Sequence, residues 1–147
     1  MLAKTIALGI LFALFPQLLP AQTPQQFAET NSISEKDWTD TLDYCGWLLD
    51  AQFWFDHPDS ESAKQFVAEL NLSTADESAF RVIVADFNKR HDQLVADHFA
   101  KLDRDEWTPE TETKLIKDLL DATNGAVERI KASLTADGVK NVQNAFL

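Results

Sequence analysis

The sequence contains very little cysteine, glycine and proline. Of its 147 residues, one is cysteine, four are glycine and five are proline. The single cysteine, Cys45, excludes an internal disulfide, and its apolar neighbours favour a buried side chain over a bond to another chain. The scarcity of turn-forming residues disfavours an all-β protein, and no stretch alternates polar and apolar residues with period two. The composition therefore favours an all-α protein.

Basic residues are also scarce. The chain has 13 lysines and arginines against 24 acidic residues, which gives a formal net charge of −11. Such a surface repels phosphate backbones and anionic lipid headgroups, so we expect no nucleic-acid partner and no binding to anionic membranes. It favours a soluble protein or one with a basic partner. A hydrophobic fraction of 45% is enough for a packed core.

Catalytic and metal-binding motifs are missing as well. The sequence holds no G-x-S-x-G, no S-x-x-K and no cysteine–histidine spacing typical of an enzyme. His91 and His98 are seven residues apart, about 10.5 Å along a helix, which is too far for two ligands of one ion. Asp103, Asp105 and Glu106 lack the glycine and distal glutamate of a calcium-binding loop. We therefore expect core-edge histidines, a solvated acidic helix end, and no catalytic residue, metal or cofactor.

The first 21 residues have the three parts of a cleavable signal peptide. Lys4 gives a positive start, residues 5–15 form an uncharged apolar run, and Ala21 offers a small residue for cleavage. The run is about half the twenty or so residues that span a bilayer, and Pro16 interrupts it. We predict a signal peptide at 1–21, a flexible leader at 22–33, and no membrane span after cleavage. The predicted location is the periplasm or the extracellular space.

From residue 34 onward, apolar residues recur at spacings of three and four, as in amphipathic helices. Ser34, Ser73 or Thr74, and Thr108 followed by Pro109, have the positions of helix N-caps. The pattern predicts helices over about 34–55, 61–70, 74–102 and 109–134, and a short one after residue 135. We predict an all-α single domain over 34–147, with four to five helices in a small antiparallel bundle or an array of helical hairpins.

The first of these helices is unusually aromatic. Three consecutive helical residues sweep about 200° around the axis, so its apolar blocks cover more than one face. The helix therefore either lies between neighbours in the core or exposes a patch for a protein partner or a second copy of the chain. The candidate partner-binding residues are Trp38, Trp47, Phe53, Trp54 and Phe55.

Two segments resemble the repeated motif of a known family. Leu72-Ser73-Thr74-Ala75-Asp76 and Leu134-Thr135-Ala136-Asp137-Gly138 are similar to the L-T-x-x-Q segments of the Spy/CpxP-like helical proteins of the bacterial periplasm. In both copies an apolar residue, Phe80 or Val142, follows the leucine by eight positions, as in the family. Asp76 and Gly138 stand where the family has glutamine, and Ser73 stands where it has the first threonine.

The resemblance implies an all-α periplasmic protein that can form a dimer and that binds unfolded clients or a sensor domain without catalysis. Its role would then be chaperone-like or related to envelope stress. The alternative is a structural or interaction protein that docks one specific partner through the aromatic helix. An enzyme is the third hypothesis, and it rests only on scattered acidic and histidine residues.

Overall fold

In the computed structural model, the structure describes residues 35–102 and 108–146, with side chains from 40 to 101 and from 108 to 146. This part of the chain holds five helices and no strand, which confirms the all-α prediction. The helices are α1 (Glu35–Asp56), α2 (Glu61–Leu70), α3 (Thr74–Leu102), α4 (Pro109–Ser133) and α5 (Ala136–Phe146). Outside the described residues lie the predicted signal peptide and leader, the side chain of Trp38, and Asp103, Asp105 and Glu106.

Local polar contacts explain where the helices begin and end. Ser60 caps α2 by accepting a hydrogen bond from the Ala63 amide, and Asn71, in the left-handed region at φ 44°, ends it. Thr108 and Thr111 form a reciprocal capping box ahead of α4, and Pro109 occupies the first turn. The predicted cap at Thr108 is confirmed, because its hydroxyl takes up an amide that the helix itself leaves unpaired.

The three long helices lie side by side. On α3 and α4, Asp86 pairs with Arg129 at 2.8 Å, while Leu94 packs with Leu115 nearer the other ends, so the two helices are antiparallel. α1 is antiparallel to α3, since the Asn88 amide donates to the Leu48 carbonyl at 3.3 Å and Phe55 contacts Phe80. α1 and α4 run parallel, since Leu42 packs on Leu120 and Cys45, three residues later in α1, contacts Thr123 of α4.

The two short helices close one end of this bundle. α2 packs on α1, and α5 packs on α2 and α4. All five helices contribute to one apolar cluster there, and we call this region the closed end. Its largest fully buried side chains are Leu48, Leu70, Phe80, Val84 and Val142. None of the described helices is long and apolar enough to cross a membrane.

Candidate functional site

Most of the predicted aromatic site packs inside the closed end. The Trp47 ring lies 5.9 Å from Phe66 and 5.7 Å from Phe80, and the Trp54 ring lies 4.5 Å from Phe66. Both tryptophans are half-buried. Phe55 is only 9% exposed and contacts Phe66 and Phe80 edge-on. These three predicted residues therefore hold α1 against α2 and α3, since paired aromatic rings add to the gain from burial.

Phe53 has the opposite environment. Its side chain is 58% exposed, and it does not belong to any apolar cluster of the described residues. Its ring stacks on the imidazole of His57 at 4.4 Å, and His57 Nδ1 lies 2.8 Å from the Phe53 carbonyl oxygen. Each helical residue turns the side chain by about 100°, so residues 53, 54 and 55 point in three directions. The aromatic block is thus partly core and partly surface.

Phe53 belongs to the face of α1 that points away from the buried side chains of Leu48 and Phe55. Asp43, Gly46, Asp50, Phe53 and His57 follow one another at spacings of three and four, and fall within about 80° around the axis. We call these five residues the open face of α1. Three of them are exposed and the other two, Gly46 and Asp50, are half-buried.

The open face is acidic. Partial burial raises the pKa of the Asp50 carboxyl group, because its surroundings solvate the charge poorly. Asp50 has no hydrogen-bond or ion-pair partner among the residues that the structure describes. The last turn of α1 carries no basic residue, so the negative end of its helix dipole has no local counter-charge. Exposed Asp56 and Asp59 add to the negative potential beside Phe53.

A second polar arrangement lies at the closed end, where Asp76 joins α3 to the start of α5. Asp76 is 5% exposed and accepts hydrogen bonds from the Thr135 amide at 2.8 Å and the Thr135 hydroxyl at 2.7 Å. The Ser73 hydroxyl donates to it at 3.0 Å. The Thr135 amide, the Thr135 hydroxyl and Ser73 hold the pKa of Asp76 below its usual range, since all of them favour the carboxylate.

Gly138 completes this joint. A Cβ atom at Gly138 would lie 2.8 Å from Asp76 Cγ, so the carboxylate occupies the space of a side chain. The Thr135 hydroxyl also accepts from the Gly138 amide at 3.1 Å and thereby caps α5. The two segments with the L-T-x-x-Q resemblance thus meet in space through Asp76, Thr135 and Gly138. This contact joins residues 59 apart in the sequence, which helical periodicity cannot reveal.

The cysteine and two of the histidines considered as candidates pack among other side chains of the fold. Cys45 is free and 3% exposed, as predicted. The pKa of its thiol is raised by burial, and a hydrogen bond with Thr123 offsets part of that increase. His98 is buried, and its pKa is lowered mainly by this burial and to a smaller extent by the positive charge of Lys101. His91 is mostly buried beside Phe87. Among the described residues, no three histidine, cysteine or acidic side chains lie close enough to hold one metal ion.

Comparison with known proteins returns no match. Neither a protein-family model, nor a curated protein, nor a solved structure is similar to this chain. The assignment of a function therefore depends on the geometry and charge of the two arrangements described above. Both carboxylate oxygens of Asp76 accept hydrogen bonds within the fold, whereas Asp43, Phe53 and His57 of the open face are exposed.

Proposed function

We propose that the chain is an exported helical protein that binds other polypeptides through the open face of α1, in a chaperone-like or envelope-stress role and without a reaction of its own. Export to the periplasm or the extracellular space rests on the signal-peptide pattern of residues 1–21. The binding role rests on the structure of α1.

One observation carries the binding role: Phe53 is 58% exposed and belongs to none of the apolar clusters of the described residues. A large aromatic side chain in water loses the free energy that its burial would provide, about 25 cal/mol per Å² of apolar surface. Residues of this kind recur at the centres of protein interfaces. The half-buried ring of Trp54 on the neighbouring side extends the apolar surface that a partner would meet.

Suppression of aggregation of a model client protein tests this role. We expect the mature chain, in stoichiometric amounts, to lower the light scattering of a chemically unfolded client, and we expect Phe53→Ser to lose most of that effect. Val82→Ser is the matched control, because Val82 is 56% exposed on α3 and lies on a different surface. An unaltered effect in Phe53→Ser, or an equal loss in Val82→Ser, would contradict the assignment to the open face.

A single specific partner is the second candidate function. The half-buried and unpaired Asp50 favours it, because a fixed charge beside an apolar ring selects for a complementary group rather than for apolar surface in general. In this case the chain would leave client aggregation unchanged but would capture one protein from an envelope extract, and Phe53→Ser would lose that capture. Trp47 and Trp54 are unsuitable probes for this test, since both support the packing against α2.

A further inference from the structure

The open face of α1 combines an aromatic ring with an incompletely solvated acid, and this combination restricts what it can bind. Asp50 and Phe53 are one helical turn apart, a rise of about 4.5 Å along the axis. A partner that reaches both groups therefore needs a cationic and an apolar side chain at a similar separation. Residues three or four apart on a helix meet that requirement.

We propose that the open face of α1 binds a basic amphipathic helix of another polypeptide, with a lysine or arginine against Asp50 and an apolar side chain against Phe53. This inference rests on the proposed binding function and names the class of segment that the same face selects.

Charge complementarity is the first argument for a basic occupant. The only basic residue of α1 is Lys36, at its first turn, while Asp43, Asp50 and Asp56 follow along the helix. Other acidic residues of the chain have cationic partners within the fold, such as Asp86 with Arg129 and Asp118 with Lys114. Asp43 and Asp50 have no such partner among the described residues, so both carboxylates are available to a cation of a binding partner.

The chain itself shows how a cation and an aromatic ring combine in this fold. The Arg81 guanidinium lies 4.0 Å from the centre of the buried Phe55 ring and also pairs with Glu77 at 2.7 Å. A cation shared between a ring and a carboxylate gains from both. Phe53 and Asp50 offer the same pair of groups on the open side of the helix, where no arginine of the described chain fills the position.

Gly46 supports a helical occupant. It lies one turn before Asp50 on the same face, and it adds no side chain between the backbone of α1 and a neighbouring helix. Together with Asp43 and Phe53 it gives the spacing of three, four and three residues that two helices use when they pack side by side. An extended strand would have no edge to pair with on a helix.

The test uses the full mature chain and two synthetic amphipathic peptides of about 18 residues, or five turns. One peptide consists of leucine and lysine, and the other has glutamate in place of lysine. We expect the basic peptide to bind at least about tenfold more tightly than the acidic one, and its affinity to fall with added salt, because exposed charges are screened. Isothermal calorimetry measures both affinities.

The variants locate the interaction. Asp50→Asn and Phe53→Ser should each weaken binding of the basic peptide by about tenfold. Asp121→Asn removes an exposed acid of α4 and Val82→Ser removes an exposed apolar side chain of α3, and both should stay within about twofold of the parent. Circular dichroism confirms that all four variants keep their helices.

Three results would each contradict the proposed recognition of a basic helix. If Phe53→Ser weakens the binding of both peptides and Asp50→Asn weakens the binding of neither, the face binds polypeptides but does not select basic ones. If Asp121→Asn lowers affinity as much as Asp50→Asn, the attraction comes from the net charge of the chain and the proposed pairing is wrong. If neither peptide binds while aggregation of the client is still suppressed, the proposed function stands and this inference fails.

Discussion

The closed end and the open face of α1 use the same helix in opposite ways. At the closed end, Trp47, Trp54 and Phe55 meet the rings of α2 and α3, and Asp76 has three hydrogen-bond donors. On the open face, Phe53 lies largely in solvent and Asp50 lacks a counter-charge among the described residues. Similar residue types are thus satisfied within the fold in one region and left unsatisfied in the other.

This difference separates stability from binding. Groups that are already paired and buried raise the free energy of unfolding but have nothing to offer a partner. Groups that are exposed or unpaired contribute little to folding, and their interactions become favourable only when another molecule covers them. Substitutions at the closed end should therefore destabilise the protein, and substitutions on the open face should weaken binding without destabilising it.

The largest effect should come from Phe55→Ala. Loss of a buried phenylalanine leaves a cavity and typically lowers the free energy of unfolding by about 3–5 kcal/mol. The guanidinium group of Arg81 would also lose its contact with the Phe55 ring. Phe53→Ala is the matched control two residues away, and we expect it to stay within about 0.5 kcal/mol of the parent. Urea denaturation followed by circular dichroism measures both, and equal losses would remove the distinction between the two regions.

Gly138→Ala should have the next largest effect. The added Cβ would lie 2.8 Å from Asp76 Cγ, so the carboxylate or α5 has to shift, and overpacking of this kind typically lowers stability by about 1–3 kcal/mol. Gly125→Ala is the control, because no atom lies within 4 Å of its added Cβ and alanine favours the helix. A Gly138→Ala variant as stable as the parent would show that the joint is loosely packed.

Acid should weaken the closed end through Asp76. Its pKa is lowered in the folded state, so its contribution to stability is present above the ordinary aspartate value near 3.8 and is lost as the pH falls through the lower folded value. Asp76→Asn should therefore lose part of the fall in stability that acidification below the ordinary aspartate pKa of 3.8 produces. The Asp121→Asn variant, altered at an exposed position, should keep the pH dependence of the parent. Identical pH profiles for the two variants would argue against the joint.

The smallest effect on stability should come from Asp50→Asn. Burial raises the pKa of Asp50, so its charge is disfavoured in the folded state and removal of that charge should leave stability unchanged or slightly increased. Thermal unfolding at neutral pH checks this. A clear loss of stability would mean that the carboxylate has a role within the fold and is not reserved for a partner.

The sequence predicted much of this architecture because the signals are local. The cap at Thr108 with Pro109 and the apolar spacing of α3 both depend on residues within a few positions of one another. The buried position of Cys45 also followed from its apolar neighbours.

Two features were beyond sequence reasoning. The division of the aromatic block needed the positions of α2 and α3, because helical spacing alone does not say which side of an all-round apolar helix is covered. The joint between Asp76 and Thr135 needed the folded topology that brings the starts of α3 and α5 together. In the sequence, Asp76 is one of two acidic residues in the first turn of α3, a position where solvent exposure is usual.

The central claim is that polypeptides dock on the open face of α1, and site-specific photo-crosslinking tests it most directly. Phe53 or, separately, Val82 is replaced by benzoylphenylalanine, and each protein is irradiated with the leucine–lysine peptide. Both positions are exposed to a similar extent, so solvent access does not favour either. We predict a crosslinked product from position 53 and little or none from position 82. Equal yields from both positions, or a product from position 82 alone, would contradict the claim.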